Sequence, residues 1–394
     1  MRDRPIAFVR RGLPCILSRA GFRPRPTRTE EKPGESGRKV LSVTSTKKCN
    51  RVIESRLRKA SQGAGVNRST ECSSKVVAVV LTWNDIDMTA RCIGSLLATG
   101  YPGLGIVVVD NGTNPPSCPI LKQRFPSIEP VQLPENLGFT GGSNRGLTRA
   151  MELGADYIFF LNNDTIVDEK AIEQLVQAME SMPDVGQASA VLLHPGAEKR
   201  IGFIYCKASR DSIHQERLYE NDLLSDIHRK IYEVDFVPAC AVMFRPQALK
   251  TVGLFDETLF TNWEDYDLCC RLVDGGWRII TVGTAEVVHA HGQTTGRISP
   301  FITYLFTRNR LICLFRYGRL GAILWQSPRI LRQFSWQIRE YGWTNWPAHR
   351  AFARGVLDFL LGVRGKGHLP ADRRDRVKQN AASHTAESPG SRPG

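Results

Sequence analysis

No apolar run in this sequence reaches the roughly 18 residues that a membrane-spanning helix needs. The best stretch, Leu311 to Trp325, is interrupted by Arg316 and Arg319, so integral insertion is not expected. The apolar residues near the start are cut by Arg2, Arg4, Arg10 and Arg11, which argues against a secretory signal. No C-x-x-C pair occurs among the ten cysteines, so neither a zinc ribbon nor a disulfide framework is expected, and reduced thiols in a cytosolic setting fit better. The G-x-G-x-x-G fingerprint is missing, which disfavours a Rossmann oxidoreductase, and without G-x-x-x-x-G-K-[ST] a P-loop NTPase is disfavoured too.

What is present begins with an uneven charge. The net charge of +14 divides into about +12 over residues 1–74, −9 over 75–297 and +11 over 298–394. A uniformly basic chain would suggest nucleic acid, but neither a recognised motif nor an aromatic-basic platform supports that here. An acidic core between basic flanks suggests a site that needs carboxylates, on segments that either seek an anionic surface or are merely solvated.

Residues 1–74 are rich in Arg, Ser, Thr, Gly and Pro without periodicity, and read as disordered or as an upstream extension. Order begins abruptly at Val76. Val76 to Leu81 is a continuous apolar run, the mark of a parallel strand covered on both faces. A helix capped by Asp85 or Asp87 should follow to Ala98, then a strand Ile106–Asp110, a weak helix near Ile120 and a strand near Ile128–Leu133. A helix from Gly141 to Gly154, a strand Tyr157–Leu161 and a helix Asp168–Met182 continue the alternation. Such alternation predicts right-handed crossovers and a mostly parallel sheet. Residues 196–232 have no clear pattern. A strand Phe236–Phe244, a helix Glu264–Val273 and a strand Ala285–Val288 come next. Three segments, Phe301–Tyr317, Ala322–Tyr341 and Ala348–Leu361, read as amphipathic helices packed on the core or lying on a membrane surface, before a polar tail from residue 370.

Chemistry-bearing residues fall at the carboxyl ends of these strands, where open α/β sheets bind ligands. Asp164, in the Asn162-Asn163-Asp164 stretch that follows the strand ending at Leu161, could hold a hard cation together with phosphates, or could form a turn. Asp110 could meet a base or ribose edge, or serve the Asp110-Asn111-Gly112 turn. Gly138, Gly141 and Gly142 allow close backbone approach at a helix start. Glu264 and Asp265 open a helix, where a carboxylate could take a hydroxyl proton or serve only the helix dipole. Trp263 could stack on a sugar or pack in the core. His289 could bind a cation or phosphate, or be structural.

Taken in order, these blocks resemble glycosyltransferase family 2 in its rhamnosyltransferase-like branch. They run from Val80-Leu81-Thr82-Trp83-Asn84 through Val108-Val109-Asp110-Asn111-Gly112, Glu135-Asn136-Leu137-Gly138-Phe139 with Gly141-Gly142-Ser143-Asn144, and Leu161-Asn162-Asn163-Asp164. Gly253-Leu254-Phe255-Asp256-Glu257, Trp263-Glu264-Asp265-Tyr266-Asp267-Leu268, Gly275-Gly276-Trp277, His289 with Gly292, and Arg308-Asn309 complete them. The resemblance, which runs from Val76 to about Tyr317, implies an α/β fold of the GT-A type with its catalytic domain over residues 75–297; beyond it, residue pattern and composition lead us to expect a helical, membrane-associated region over 298–369 and a disordered tail over 370–394. It implies inverting transfer of a sugar from dTDP-rhamnose or a UDP-sugar to a glycan or polyprenyl-diphosphate-linked acceptor, with Mg2+ or Mn2+, in the cytoplasm or on the inner face of the cell membrane. By position, Thr82, Asn84, Asp110, Asn136, Gly138, Asn144 and Asn163 would hold the nucleotide-sugar. Asp164 matches the last Asp of the D-x-D metal motif, Asn162 stands at its first place, and His289 is a further metal or diphosphate contact. Asp265 matches the catalytic base with Glu264 beside it, and Trp263 and Cys240 would border the acceptor. The alternatives are a nucleotidyltransferase, which would need a glycine-rich basic loop after the first strand, and a non-catalytic nucleotide-sugar-binding protein on the same fold.

Overall fold

The computed structural model describes residues 74–209, 214–290, 299–318 and 345–368. The expected Ala322–Tyr341 helix and the terminal segments lie outside the described residues.

Strand β1 (Val76–Thr82) sits in the middle of the first half of the sheet. Its residues Val76 to Val80 are fully buried, as a strand covered on both faces requires. Helix α1 (Ile86–Ala98) starts where the Asp85 carboxylate accepts from the Met88 N–H at 2.9 Å, and the chain leaves it through Gly100 in the left-handed region. Strand β2 (Gly105–Asp110), helix α2 (Cys118–Arg124) and strand β3 (Glu129–Gln132) follow, then helix α3 (Gly138–Glu152) and strand β4 (Tyr157–Asn162). The order β3-β2-β1-β4 is parallel throughout. Helix α3 begins three residues before the expected Gly141, because the Asn136 side chain accepts from the Gly138 N–H and turns the chain early. At Gly146 the helix lies so close to the sheet that a Cβ would stand 2.3 Å from Val79.

Past β4 the sheet becomes mixed. Strand β5 (Thr165–Val167) and helix α4 (Ala171–Ser181) lead to strand β6 (Val185–Leu193). The stretch without sequence pattern contains β7 (Ile201–Phe203), the hairpin β8 (Tyr205–Ser209) and β9 (His214–Leu218), and β10 (Ile231–Glu233). Strand β11 (Ala241–Phe244) inserts antiparallel between β4 and β6, and β12 (Arg278–His289) pairs parallel with β6. The parallel order expected from the alternation is therefore unbroken in the first half, and the second half keeps it only between β6 and β12. The expected strand Phe236–Phe244 is shorter as well: Pro238 has no N–H to give, and the Cys240 N–H turns back to the Pro238 carbonyl at 2.9 Å.

Helix α5 (Pro246–Val252) and helix α6 (Glu264–Asp274) precede β12, and helices α7 (Pro300–Tyr317) and α8 (Trp346–Leu360) complete the described chain. Phe139, Phe160, Phe244 and Phe255 meet edge-to-face or tilted at 5.6 to 6.3 Å, tying α3 to both halves of the sheet. Cys313 and Leu314 of α7 join the same core, so that helix is packed on the domain. None of the seven cysteines among the described residues forms a disulfide, and all are buried. No helix among the described residues is long and apolar enough to cross a membrane.

Candidate active site

The first half of the sheet ends in polar residues whose hydrogen-bonding capacity is taken up by the chain itself. Asp110 is fully buried, and its carboxylate accepts from the Thr113 N–H (2.8 Å), the Ser117 N–H (2.7 Å) and the Ser117 hydroxyl (2.6 Å). Asn144 accepts from the Phe255 N–H and donates to the Phe255 carbonyl and to Glu257, pinning the loop after α5. Asn163 donates to the hydroxyls of Thr82 and Thr89, which are 2.6 Å apart. Asn136 and Asn111 bind each other, and Asn111 also holds the Gly138 carbonyl and the Leu137 N–H. Asn84 is exposed in the left-handed region, its N–H donating to Thr113. These residues do gather at one sheet end, but most of them brace the loops there.

The second cluster is different. Asp164 and His289 are both buried, with His289 Nε2 3.0 Å from Asp164 Oδ1. Strand pairing sets this up, because His289 faces Thr165 in the β5–β12 ladder and the Ala290 N–H donates to the Asp164 carbonyl. Burial alone would lower the imidazole, but the Cys240 thiol and the Asp164 carboxylate facing it outweigh that and push it up to about 10. Cys240 is buried against this pair, not open to an acceptor as expected, and its carbonyl accepts from the Asn162 N–H at 3.0 Å.

Asp265 opens α6, its carboxylate accepting from the Tyr266 N–H at 2.8 Å. Burial pushes it up to about 6, against the opposing pull of the Tyr266 and Ala239 N–H groups and of Arg217. Burial, and then the charge of Asp265, raise Glu264 well above the usual carboxylate range. The two carboxyls are thus separated in acidity, the pattern of an acid–base pair. Ala239 and Cys240 are adjacent in sequence. One touches Asp265 and the other touches the His289–Asp164 pair, so a single short segment joins the two ends of the site.

The approach to α6 is strained. Phe260, Asn262 and Trp263 all lie at φ between 65° and 73°, unusual for side chains of that bulk and costing about 1 kcal/mol or more each. Asn262 Nδ2, Trp263 Nε1 and Glu264 Oε2 are buried without a hydrogen-bond partner among the described residues. Consecutive orphaned groups beside a strained turn mark a place built for a ligand. Trp263 packs edge-on against Tyr266 and tilted against Phe306, so its ring is largely a packing element. Behind it, Asp267 anchors α6 by accepting from Arg271, Arg316 and Tyr317.

Among the described residues no group of three or more His, Cys, Asp or Glu side chains could hold a metal ion. A carboxylate oxygen and an imidazole nitrogen 3.0 Å apart would suit one divalent cation once it displaces the proton that they share, with remaining ligands from a diphosphate. The donor set therefore fits Mg2+ or Mn2+ as a shared ligand of protein and substrate.

Residues 77–252 match the family described as glycosyl transferase family 2. They form a glycosyl transferase family 2 domain. The chain is 26% identical over 276 residues to N-acetylglucosaminyl-diphospho-decaprenol L-rhamnosyltransferase of Mycobacterium tuberculosis, covering 64% of this chain and 86% of that protein. It is 25% identical over 260 residues to dTDP-rhamnosyl transferase RfbF of Shigella flexneri, covering 61% of this chain and 80% of that one. Both support the rhamnosyltransferase-like branch. Among solved structures, GalNAc-T7 with UDP, GalNAc and Mn2+ superposes with a TM-score of 0.50 at 11% identity, over 79% of this chain and 58% of that one. That likeness concerns the fold, which is of the GT-A type.

Sequence reasoning missed three features of the site. It gave Arg308-Asn309 no role, it read Ala239 only as part of a strand bordering the acceptor and not for its N–H on Asp265, and it did not see Arg217. The first carried a signal: two strongly polar residues in the middle of an apolar helix.

Proposed function

We propose that this chain is an inverting glycosyltransferase, moving a sugar from a nucleoside-diphosphate donor to a hydroxyl of a lipid-linked or cell-envelope glycan. dTDP-rhamnose is the favoured donor, a reading supported by the two rhamnosyltransferase relatives, and UDP-sugars are the second choice. The observation that carries the proposal is the Ala239-Cys240 segment, which touches Asp265 on one side and the His289–Asp164 pair on the other.

Asp265 acts as the base. With its carboxyl pushed up to about 6 it is ionised at neutral pH, yet more basic than an ordinary aspartate, so it can take the acceptor's proton as that hydroxyl attacks. Attack from the face opposite the diphosphate inverts the anomeric carbon. Burial and the charge of Asp265 raise Glu264 well above the usual carboxylate range, which favours the protonated form that can orient a substrate oxygen by hydrogen bonding. Asp164 and His289 would hold Mg2+ or Mn2+, which when bound supplies positive charge to the departing diphosphate. Thr82, Asn84, Asp110, Asn136, Gly138, Asn144 and Asn163 shape the nucleotide side, mainly by bracing its loops.

We read residues 75–297 as the catalytic domain and, within 298–369, helices α7 and α8 as its support on a membrane surface. Leu360 and Leu361 are exposed beside the exposed basic residues Arg364 and Lys366, a combination suited to an anionic bilayer. Pelleting with anionic vesicles at low salt, lost at high salt, would support that location, and a protein remaining in the supernatant would count against it.

The function itself is tested by screening nucleotide-sugars for thermal stabilisation with Mn2+, followed by the anomeric configuration of the product. Stabilisation by dTDP-rhamnose and an inverted product are expected. A retained configuration, or no stabilisation by any nucleotide-sugar, would contradict the proposal.

A further inference from the structure

We infer that Asn309, braced by Arg308, is a positioning residue that holds the loop 259–263 and thereby sets where Asp265 stands. The inference rests on the transferase reading for its catalytic consequence, but its structural part stands apart from that reading.

Both residues are fully buried in the middle of α7, where apolar side chains would be the ordinary choice. The Asn309 amide nitrogen lies 2.7, 2.8 and 2.9 Å from the carbonyl oxygens of Leu259, Thr261 and Asn262, so its two hydrogens serve three acceptors. Its amide oxygen accepts from Arg308 Nε at 3.0 Å, which fixes the direction in which the NH2 points. Arg308 also donates to the carbonyls of Leu259 (3.4 Å) and Gly365 (2.7 Å).

These acceptors belong to the segment where Phe260, Asn262 and Trp263 are left-handed. Such a backbone turns successive carbonyls toward the helix instead of along a regular ladder. Buried carbonyls need donors, and here α7 supplies them. Without them the loop would relax toward ordinary torsions and carry the start of α6 with it.

The loop has two neighbours that matter. Downstream, the Trp263 carbonyl accepts from the Asp267 N–H in the first turn of α6, with Asp265 between them. Upstream, the Phe260 carbonyl accepts from the Thr140 N–H at 3.2 Å, and the Phe260 ring packs where Gly138 has no side chain. One strained loop therefore touches both the helix start on the nucleotide side and the helix start that bears the base. Behind the clamp, the Tyr304 hydroxyl receives Arg308 and donates to Asp358 of α8, which also pairs with Arg354. The C-terminal helix pair thus acts on catalysis through two buried side chains.

The experiment compares the full chain with Asn309→Ala and Arg308→Lys. It measures amide hydrogen exchange of residues 257–265 and of β1, affinity for dTDP and UDP with Mn2+, and turnover. Asn309→Ala is expected to speed exchange over 257–265 by about tenfold with β1 unchanged, to leave nucleotide affinity within about threefold, and to lower kcat by at least about tenfold. Arg308→Lys, which keeps the charge but loses the fork, should shift the same readouts less. Unchanged exchange and unchanged kcat in Asn309→Ala would overturn the inference. So would a proportional loss of β1 protection, affinity and kcat in both variants, because that would make the pair merely a part of the core. If Asn309→Ala does not fold, Arg308→Lys is read against the same criteria. If the wild-type chain transfers no sugar, the transferase reading fails, and the exchange data alone decide whether the clamp exists.

Discussion

The two ends of the active site are built on opposite principles. On the proposed nucleotide side, Asp110, Asn136, Asn144 and Asn163 are satisfied by the backbone or by neighbouring side chains, and Val76 to Val80, Val107 to Val109 and Ile158 to Leu161 beneath them are fully buried. On the side of the proposed base, three consecutive residues hold buried atoms without a partner among the described residues, three backbones are left-handed, and two carboxyls are pushed upward by burial. The first arrangement stores stability and the second stores strain. A group that must change partners during a reaction cannot be fully satisfied beforehand, and Asn262 to Glu264 are where such groups stand consecutively among the described residues.

Substitutions can break or sharpen this contrast. Short of removing the base itself, the largest effect is expected from Asp164→Ala, which should lower turnover by about a hundredfold and remove the Mn2+ dependence of nucleotide affinity, read by titration with and without the metal. Next, Asp110→Ala strips three hydrogen bonds from a buried turn and should cost about 3 kcal/mol in denaturant unfolding. If Asp110 also reads the base, the preference between dTDP and UDP will change as well; an unchanged preference would assign it to bracing alone. Gly138→Ala should cost about 2 kcal/mol, since Gly138 is at φ +78° and a Cβ would stand 2.5 Å from Phe260. That variant strikes the seam between the two ends, so it should lower turnover more than nucleotide affinity.

The smallest effect has the opposite sign. Asp265 titrates at about 6 in the folded chain against an ordinary 3.8, so the folded state holds this proton more tightly than the unfolded state does. Its contribution to stability is present below the ordinary value and is lost as pH rises through about 6. Asp265→Asn should therefore raise the melting temperature at pH 8 by about 2–4 °C and by little or nothing at pH 4. The wild-type rate should fall as pH drops below about 6, where the base is protonated.

Much of the first half could be read in the sequence. The apolar runs of β1, β2 and β4 and the capping Asp85 leave little choice of structure, and parallel pairing follows from the helices between them. The start of α6 at Glu264 was equally legible, from acids ahead of an apolar stripe. The second half was not, for physical reasons. Nothing local in Ala241–Phe244 announces that it will insert antiparallel between strands distant in sequence. The β8–β9 hairpin pairs residues such as Lys207 with Glu216, without the alternation that marks a half-buried strand. Candidate site residues were found by position, but not what each does. Asp110 and Asn144 looked open to a ligand until their partners were known, and Cys240 looked like a rim residue until His289 was seen against it. Conversely, the left-handed run at residues 260–263 contains no glycine to betray it.

The most direct test measures Asp265→Asn on one sample in two ways, sugar transfer to acceptor and affinity for the nucleotide-sugar with Mn2+. Transfer reduced by about a thousandfold or more, with affinity within about twofold of wild type, is the predicted result. Substantial transfer by this variant, or loss of donor affinity in step with transfer, would contradict the assignment of Asp265 as the base.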